Sequence, residues 1–184
     1  MQTEIVLSGF GGQGALFAGQ LMAYAAMGEG MNVTWIPSYG PEMRGGTAHC
    51  TVIISDDVIG SPIVRHPTAA IVMNLPSLDK YEALVKSGGV LVVNASLVDR
   101  TPTRADIAVV MIPANKIAEE LGDRRMANLV LVGGLLEKLP VLSLDSIADA
   151  LRRHIPERRR ALLEPNLKAL ERGAALARAP LAAA

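Results

Sequence analysis

The sequence predicts an α/β fold: a single domain over residues 1–184, with a mostly parallel sheet, helices on both faces and a helical C-terminal third. Three observations predict it. Glu4 to Ser8 is a short apolar run that passes at once into glycines. Ala15 to Met27 is then rich in Ala, Leu and Met, and Asn32 to Ser38 is β-branched and aromatic. Strand, glycine turn, helix, strand is the crossover unit from which parallel sheets are built. Finally, further strand-length apolar runs recur at short spacing, and helical periodicity fills the end of the chain. The chain has 184 residues, half of them apolar, which fits one domain with a sizeable core. No repeat or long linker divides it, and the ordered body is expected over about residues 2–176.

The elements follow in order. Tyr39 to Gly46 (YGPEMRGG) is broken by glycines and a proline and reads as a loop. Thr47 to Ser55 is strand-like, with Asp56-Asp57 as its turn, and Ala69 to Leu75 is an apolar run near prolines. Ser77 is the expected N-cap of a helix that places Leu78, Tyr81, Leu84 and Val85 on one face and stops at Gly88-Gly89. Val90 to Asn94 and Ile107 to Ile112 read as buried strands. Met126 to Leu139 is an apolar helix in which Gly133-Gly134 implies close packing against a neighbour. Ser143 caps a helix with Leu144, Ile147, Ala148 and Leu151 inward. Pro156 to Ala177 is a charged helix expected to break near Pro165.

Composition excludes several functions. Lys plus Arg number 18 and Asp plus Glu 18, so bulk charge draws the chain to neither nucleic acid nor anionic lipid. The single cysteine, Cys50, cannot form an internal disulfide or hold an iron–sulfur cluster, which takes four thiolates. The first residues carry no basic leader, and the longest apolar run, Leu129 to Leu136, is far short of the roughly 20 residues of a membrane span. A cytoplasmic protein is expected. His49 and Cys50 are adjacent on a strand and so face opposite ways, while His66 and His154 have no partner at metal-ligand spacing. No metal site is expected. Met22, Met27, Met31, Met73 and Met111 read as core, and Arg158-Arg159-Arg160 as a solvated helix face.

Two motifs carry chemistry. Gly9-Phe10-Gly11-Gly12-Gln13-Gly14 satisfies G-x-G-x-x-G between a strand and a helix, where glycines admit a ligand to the backbone and the helix N-terminus offers free N–H groups. The acidic residue that would bind a ribose some 20 residues on is missing from Val33 to Ser38, which argues against a self-sufficient NAD site. The second motif, Tyr39-Gly40-Pro41-Glu42-Met43-Arg44-Gly45-Gly46, follows the second strand and is expected at the same carboxyl edge of the sheet. There Arg44 could meet a phosphate or carboxylate, with Glu42 to orient it. The bland alternatives are a packing turn and a solvated Glu42–Arg44 pair.

GFGGQG followed by YGPEMRGG resembles the gamma subunit of 2-oxoacid:ferredoxin oxidoreductases. The likeness continues through Ile59-Gly60-Ser61-Pro62, the GGVLVVNAS strand, Asn128, Glu164-Pro165-Asn166 and Gly173. The resemblance implies a subunit of an enzyme that decarboxylates a 2-oxoacid on thiamine diphosphate, with Mg, and passes electrons through iron–sulfur clusters to ferredoxin. Coenzyme A takes the acyl group as co-substrate. It implies alpha, beta and delta partner subunits that hold the cofactors. Gly11, Gly12, Gln13 and Gly14, with Tyr39, Glu42, Arg44, Gly45 and Gly46, are then the candidate contacts to a partner subunit or to coenzyme A. No residue is assigned a catalytic role. The substrate expected is 2-oxoglutarate or a branched-chain 2-oxoacid, because the chain carries no fused delta or alpha region; isolated, it could form a homodimer. The competing readings are a stand-alone nucleotide- or phosphate-binding domain and a non-enzymatic scaffold.

Overall fold

The structure is a computed structural model that describes residues 1–38 and 47–178. Its strands are β1 (Gln2–Phe10), β2 (Asn32–Ser38), β3 (Thr47–Ser55), β4 (Ala69–Val72), β5 (Val90–Asn94) and β6 (Ala108–Ile112). Its helices are α1 (Ala15–Gly28), α2 (Leu75–Tyr81), α3 (Ala114–Glu120), α4 (Ala127–Lys138), α5 (Leu144–His154) and α6 (Leu163–Arg178). The six strands form one sheet in the order β2-β3-β1-β4-β5-β6.

β1, β4, β5 and β6 run parallel, so three of the five neighbouring pairs are parallel and the expected mostly parallel sheet is present. The first crossover differs in detail. β2 does not pair with β1, because β3 lies between them, antiparallel to both. Alternating apolar residues determine which face of a strand is buried, not which strand stands beside it. Since β3 opposes both neighbours, β1 and β2 still point the same way and end at the same edge.

The two faces are covered unequally. Ile5, Leu7, Cys50, Val52, Ile71 and Val92 pack under α1 and α3 to α6. Val6, Val72, Leu91 and Val93 pack under α2 and the segments after it, through Leu78, Tyr81, Val85 and Val98. Cys50 and His49 do face opposite ways: Cys50 lies in the first core and the His49 ring faces Tyr81 at 5.9 Å between ring centres.

α4 is buried on nearly all sides, as a helix apolar all round should be. Gly133 and Gly134 explain its packing. A Cβ on Gly133 would fall onto the Leu170 carbonyl of α6, and one on Gly173 of α6 would fall onto the Val130 carbonyl of α4. The two helices therefore touch backbone to backbone through reciprocal glycines, while Gly134 admits the Ile112 side chain from β6.

Several local expectations are corrected. The N-cap of α2 is Asn74, whose Oδ1 accepts from Ser77 N–H at 2.9 Å; Ser77 is fully buried and its hydroxyl bonds Ser8 instead. The expected break near Pro165 is present, placed at Leu162–Leu163: Glu157–Leu162 is a separate 3-10 turn carrying Arg158 to Arg160, and Pro165 sits in the first turn of α6, where no N–H donor is required. The strand read as Ala69 to Leu75 ends at Val72, and Met27 is 61% exposed rather than core. α3 and its α4-side neighbour, the 3-10 turn Arg124–Met126, were not anticipated.

Two outcomes are expected. Gly133→Ala should cost about 3 kcal/mol or more, because the intruding methyl meets backbone that no rotamer change can clear. Gly28→Ala, which meets nothing within 4 Å, should be neutral or stabilising by up to about 1 kcal/mol. Urea denaturation of both variants checks the contrast. Burial, only partly offset by the Trp35 indole N–H facing the sulfur, pushes the Cys50 thiol from an ordinary value near 9 up to about 12. The thiol should resist a water-soluble disulfide reagent until the chain unfolds. The unfolded thiol ionises first, so its contribution to stability is complete below pH 9 and is lost as pH rises from 9 towards 12; alkaline denaturation curves of wild type and Cys50→Ala check this.

Candidate functional site

The site is built at the carboxyl ends of β1 and β4. From β1 the chain turns into α1 on one face of the sheet, and from β4 it turns into α2 on the other. Two neighbouring parallel strands that lead away to opposite faces leave a crevice between their ends, the usual ligand position in open α/β sheets.

Gln13 fills the mouth of that crevice. Its Oε1 accepts from Phe10 N–H at 2.6 Å and from Asn74 Nδ2 at 3.3 Å, and its Nε2 donates to the Met73 carbonyl at 3.3 Å. Asn74 at the same time caps α2, and behind it the Ser8 and Ser77 hydroxyls pair at 2.9 Å in the interior. The glycine turn is thus hydrogen-bonded to the end of β4.

The turn itself needs glycine at two places. Gly12 has φ 91° and Gly14 φ 80°, both left-handed. A Cβ on Gly14 would also strike the Asn128 amide, whose Nδ2 donates to the Gly14 carbonyl at 3.1 Å. Gly14 is the N-cap of α1 and supplies no side-chain cap, and the first turn of α1 holds no acid. Its N–H groups and the positive end of its dipole are left toward the edge.

Beside the turn lies a cleft of about 150 Å³, lined by Gly12, Gln13, Met73, Asn94, Asn115, Arg124, Arg125 and Leu131. Asn94 ends β5 and donates from Nδ2 to Asn115 Oδ1 at 2.7 Å; Ser96 Oγ accepts from the N–H groups of Asn115 and Lys116 at 3.2 and 3.4 Å, fixing the start of α3. Arg124 pairs with Glu119 at 2.8 Å and Arg125 with Asp123 at 2.6 Å, and both arginine side chains stay more than 60% exposed. The Arg125 guanidinium holds the Asp123 carboxyl below its usual range. A second groove, of about 200 Å³, shares Gly12 and Arg125 with the cleft and runs past Phe17, Leu151 and Ile155 to Arg159 and Asn166. The edge therefore offers amide donors and guanidinium groups around apolar walls, a set suited to anionic groups carried on an apolar body.

Of the residues singled out in the sequence, Gly12, Gln13 and Gly14 line these hollows and Gly11 faces open space. Tyr39, Glu42, Arg44, Gly45 and Gly46 lie outside the described residues. The flanks of that segment are placed, however: Ser38 and Ser8 both pair with His49, and Thr47 pairs with Phe10, so both its ends stand at the edge that carries the glycine turn. Asn94, Asn115, Arg124 and Arg125 were missed. Their one sequence signal is position, since Asn94 ends a strand and the others follow one into short helices.

The family described as pyruvate ferredoxin/flavodoxin oxidoreductase matches residues 4–176. The chain belongs to that family. Family members it is similar to include ketoisovalerate oxidoreductase subunit VorA of Methanothermobacter marburgensis, 37% identical over 96% of this chain and 37% of that protein. The chain thus spans little more than a third of that relative's length. It is also similar to 2-oxoglutarate synthase subunit KorC of Methanocaldococcus jannaschii, 36% identical over 94% of this chain and 92% of that one. Among solved structures, the keto/oxoacid ferredoxin oxidoreductase gamma subunit from Geobacter sulfurreducens superposes with TM-score 0.83 at 34% identity, covering 97% of this chain and 99% of that one. The fold is that of the family's gamma subunit.

Removing the Gln13 amide should unpair Phe10 N–H and the Met73 carbonyl. Gln13→Ala is expected to cost about 1–3 kcal/mol in urea denaturation, whereas Gly11→Ala, with open space at its Cβ, should stay within about 1 kcal/mol of wild type.

Proposed function

We propose that this chain is the gamma subunit of a cytoplasmic 2-oxoacid:ferredoxin oxidoreductase and that its carboxyl-edge cleft receives coenzyme A. The partners are the alpha, beta and delta subunits, which hold thiamine diphosphate, Mg and the iron–sulfur clusters. The substrate is 2-oxoglutarate or a branched-chain 2-oxoacid, the classes named in the KorC and VorA relatives. The reaction converts the 2-oxoacid to acyl-coenzyme A and CO2 with electrons passed to ferredoxin. Thiamine diphosphate supplies the decarboxylation chemistry when bound. The residues here do not fit a cluster, since the chain has one cysteine and Cys50 is buried.

The observation that supports the coenzyme A reading is the convergence at one edge. Gly12 and Gln13 before the uncapped α1 N-terminus, the Asn94–Asn115 amides, Arg124 and Arg125 line a hollow, and both ends of the segment that contains Tyr39, Glu42 and Arg44 stand at the same edge of the sheet. Helix N-terminal N–H groups and guanidinium forks bind phosphates, and the apolar walls suit the remainder of the molecule. This chain's part is to bind and orient the acceptor thiol's carrier, not to touch the 2-oxoacid.

Steady-state kinetics of the reconstituted complex test it. Arg124→Ala and Arg44→Ala should each raise the KM for coenzyme A by roughly ten-fold, with kcat and the KM for the 2-oxoacid unchanged. An unchanged coenzyme A KM in both would refute the assignment. A changed 2-oxoacid KM instead would place the edge beside the thiamine site.

A further inference from the structure

The groove that leads away from the cleft differs from it in chemistry. The cleft presents the amides of Gln13, Asn94 and Asn115 beside Met73 and Leu131. Its two arginines are each engaged by a carboxylate, Arg124 by Glu119 and Arg125 by Asp123. The groove is walled by Phe17 of α1, by Leu151 and Ile155 around the end of α5, and by Leu162 before α6. Its one carboxylate, Asp123, is the one that Arg125 already holds. Arg159 also lines it and makes no ion pair among the described residues, although Arg160 beside it pairs with Glu157. The groove therefore carries an uncommitted guanidinium.

Two further features bear on what fills it. Phe17 is 46% exposed, so an aromatic face lines the groove with much of its surface uncovered, and such a ring favours a flat aromatic partner. Asn166 donates from Nδ2 to the Leu162 carbonyl at 2.7 Å, which fixes the orientation of its amide. Asn166 Oδ1 has no donor among the described residues and is an acceptor for an exocyclic amine. An aromatic face, an amide acceptor and a guanidinium together fit a purine nucleoside that bears a phosphate. Coenzyme A joins two unlike arms through a diphosphate. Pantetheine is uncharged and holds amides, and the other arm is adenosine with a 3′-phosphate. Cleft and groove share Gly12 and Arg125 next to the α1 N-terminus, a place suited to the diphosphate. The amide-lined cleft then matches pantetheine, and the groove matches adenosine 3′-phosphate. The reverse arrangement would set the phosphate among arginines already neutralised and leave Arg159 opposite an uncharged chain.

We infer that the groove is the adenosine 3′-phosphate subsite of the coenzyme A site and that Arg159 is the specificity residue that reads the 3′-phosphate. The inference rests on the coenzyme A reading above. It divides the Arg158-Arg159-Arg160 run by role: Arg160 pairs within its own turn, and Arg159 lines the groove.

The test compares coenzyme A with 3′-dephospho-coenzyme A as acceptor in the reconstituted complex. Wild type should favour coenzyme A in kcat/KM by about ten-fold or more, as one charge-assisted contact provides. Arg159→Ala should lose that preference by raising the KM for coenzyme A alone, and Arg159→Lys, which keeps the charge, should retain part of it. Arg158→Ala, outside the groove, should behave as wild type. Thermal melting of Arg159→Ala should match wild type, because the side chain is exposed. Adenosine 3′,5′-bisphosphate should compete with coenzyme A more strongly than 5′-AMP, and Arg159→Ala should remove the difference. Equal use of both acceptors by wild type overturns the subsite. So does an Arg159→Ala variant that keeps the preference or loses both acceptors alike. Competition by 5′-AMP equal to that of the bisphosphate also overturns it and marks a plain adenine-nucleotide site. With any of these, a raised coenzyme A KM in Arg124→Ala and Arg44→Ala leaves the coenzyme A reading standing. A wild-type KM in both refutes that reading and the subsite with it.

Discussion

The arrangement of the carboxyl edge depends on one side chain. Gln13 spans the ends of two parallel strands whose following helices depart to opposite faces, and it hydrogen-bonds both. Among the described residues, Met73 N–H donating to the Ser8 carbonyl at 2.9 Å ties the strand ends, but only Gln13 carries a side-chain bond from within the glycine turn to the end of β4, since glycines at 12 and 14 bring no side chain of their own. Glycine freedom makes the turn possible, and the Gln13 amide makes it one conformation. The Asn74 side chain joins the same network while capping α2, so the start of the second-face helix and the shape of the glycine turn are coupled through two amides.

A second support comes from farther away. Asn128 holds the Gly14 carbonyl from the first turn of α4, and α4 is located by its backbone contact with α6 at Gly133 and Gly173. The C-terminal helices, remote in sequence from the glycine turn, therefore position it. The same α4 continues backwards into Arg124–Met126, which brings Arg124 and Arg125 to the cleft. Rigid packing on the first face thus presents charged groups on short, exposed segments at the edge, the division between scaffold and site that α/β folds commonly use.

Much of this was legible in the sequence, and the failures have physical causes. β1, the glycine turn, α1 and the Ser143 cap of α5 are local, and their residues say so: Ser143 Oγ accepts from Ser146 N–H at 3.0 Å. The buried face Leu78, Tyr81, Val85 was also correct. The cap of that helix was not, because Asn74 and Ser77 are equally good capping types and only the tertiary partner Ser8 assigns Ser77 inward. The placing of β3 between β1 and β2 is a pairing choice that periodicity does not encode. The break near Pro165 was legible because proline is tolerated in the first turn of a helix and not in its interior. Asn94, Asn115, Arg124 and Arg125 form no motif; they converge only when β5, α3 and the turn before α4 meet at one edge.

Hydrogen–deuterium exchange of the assembled oxidoreductase with and without coenzyme A tests the central claim most directly. Added coenzyme A is expected to slow exchange at residues 10–18, 94–96 and 114–126, the amides around the cleft, and to leave residues 57–66 at the opposite edge of the sheet unchanged. Protection confined to other subunits, with none in those three stretches, would contradict the assignment of the carboxyl edge.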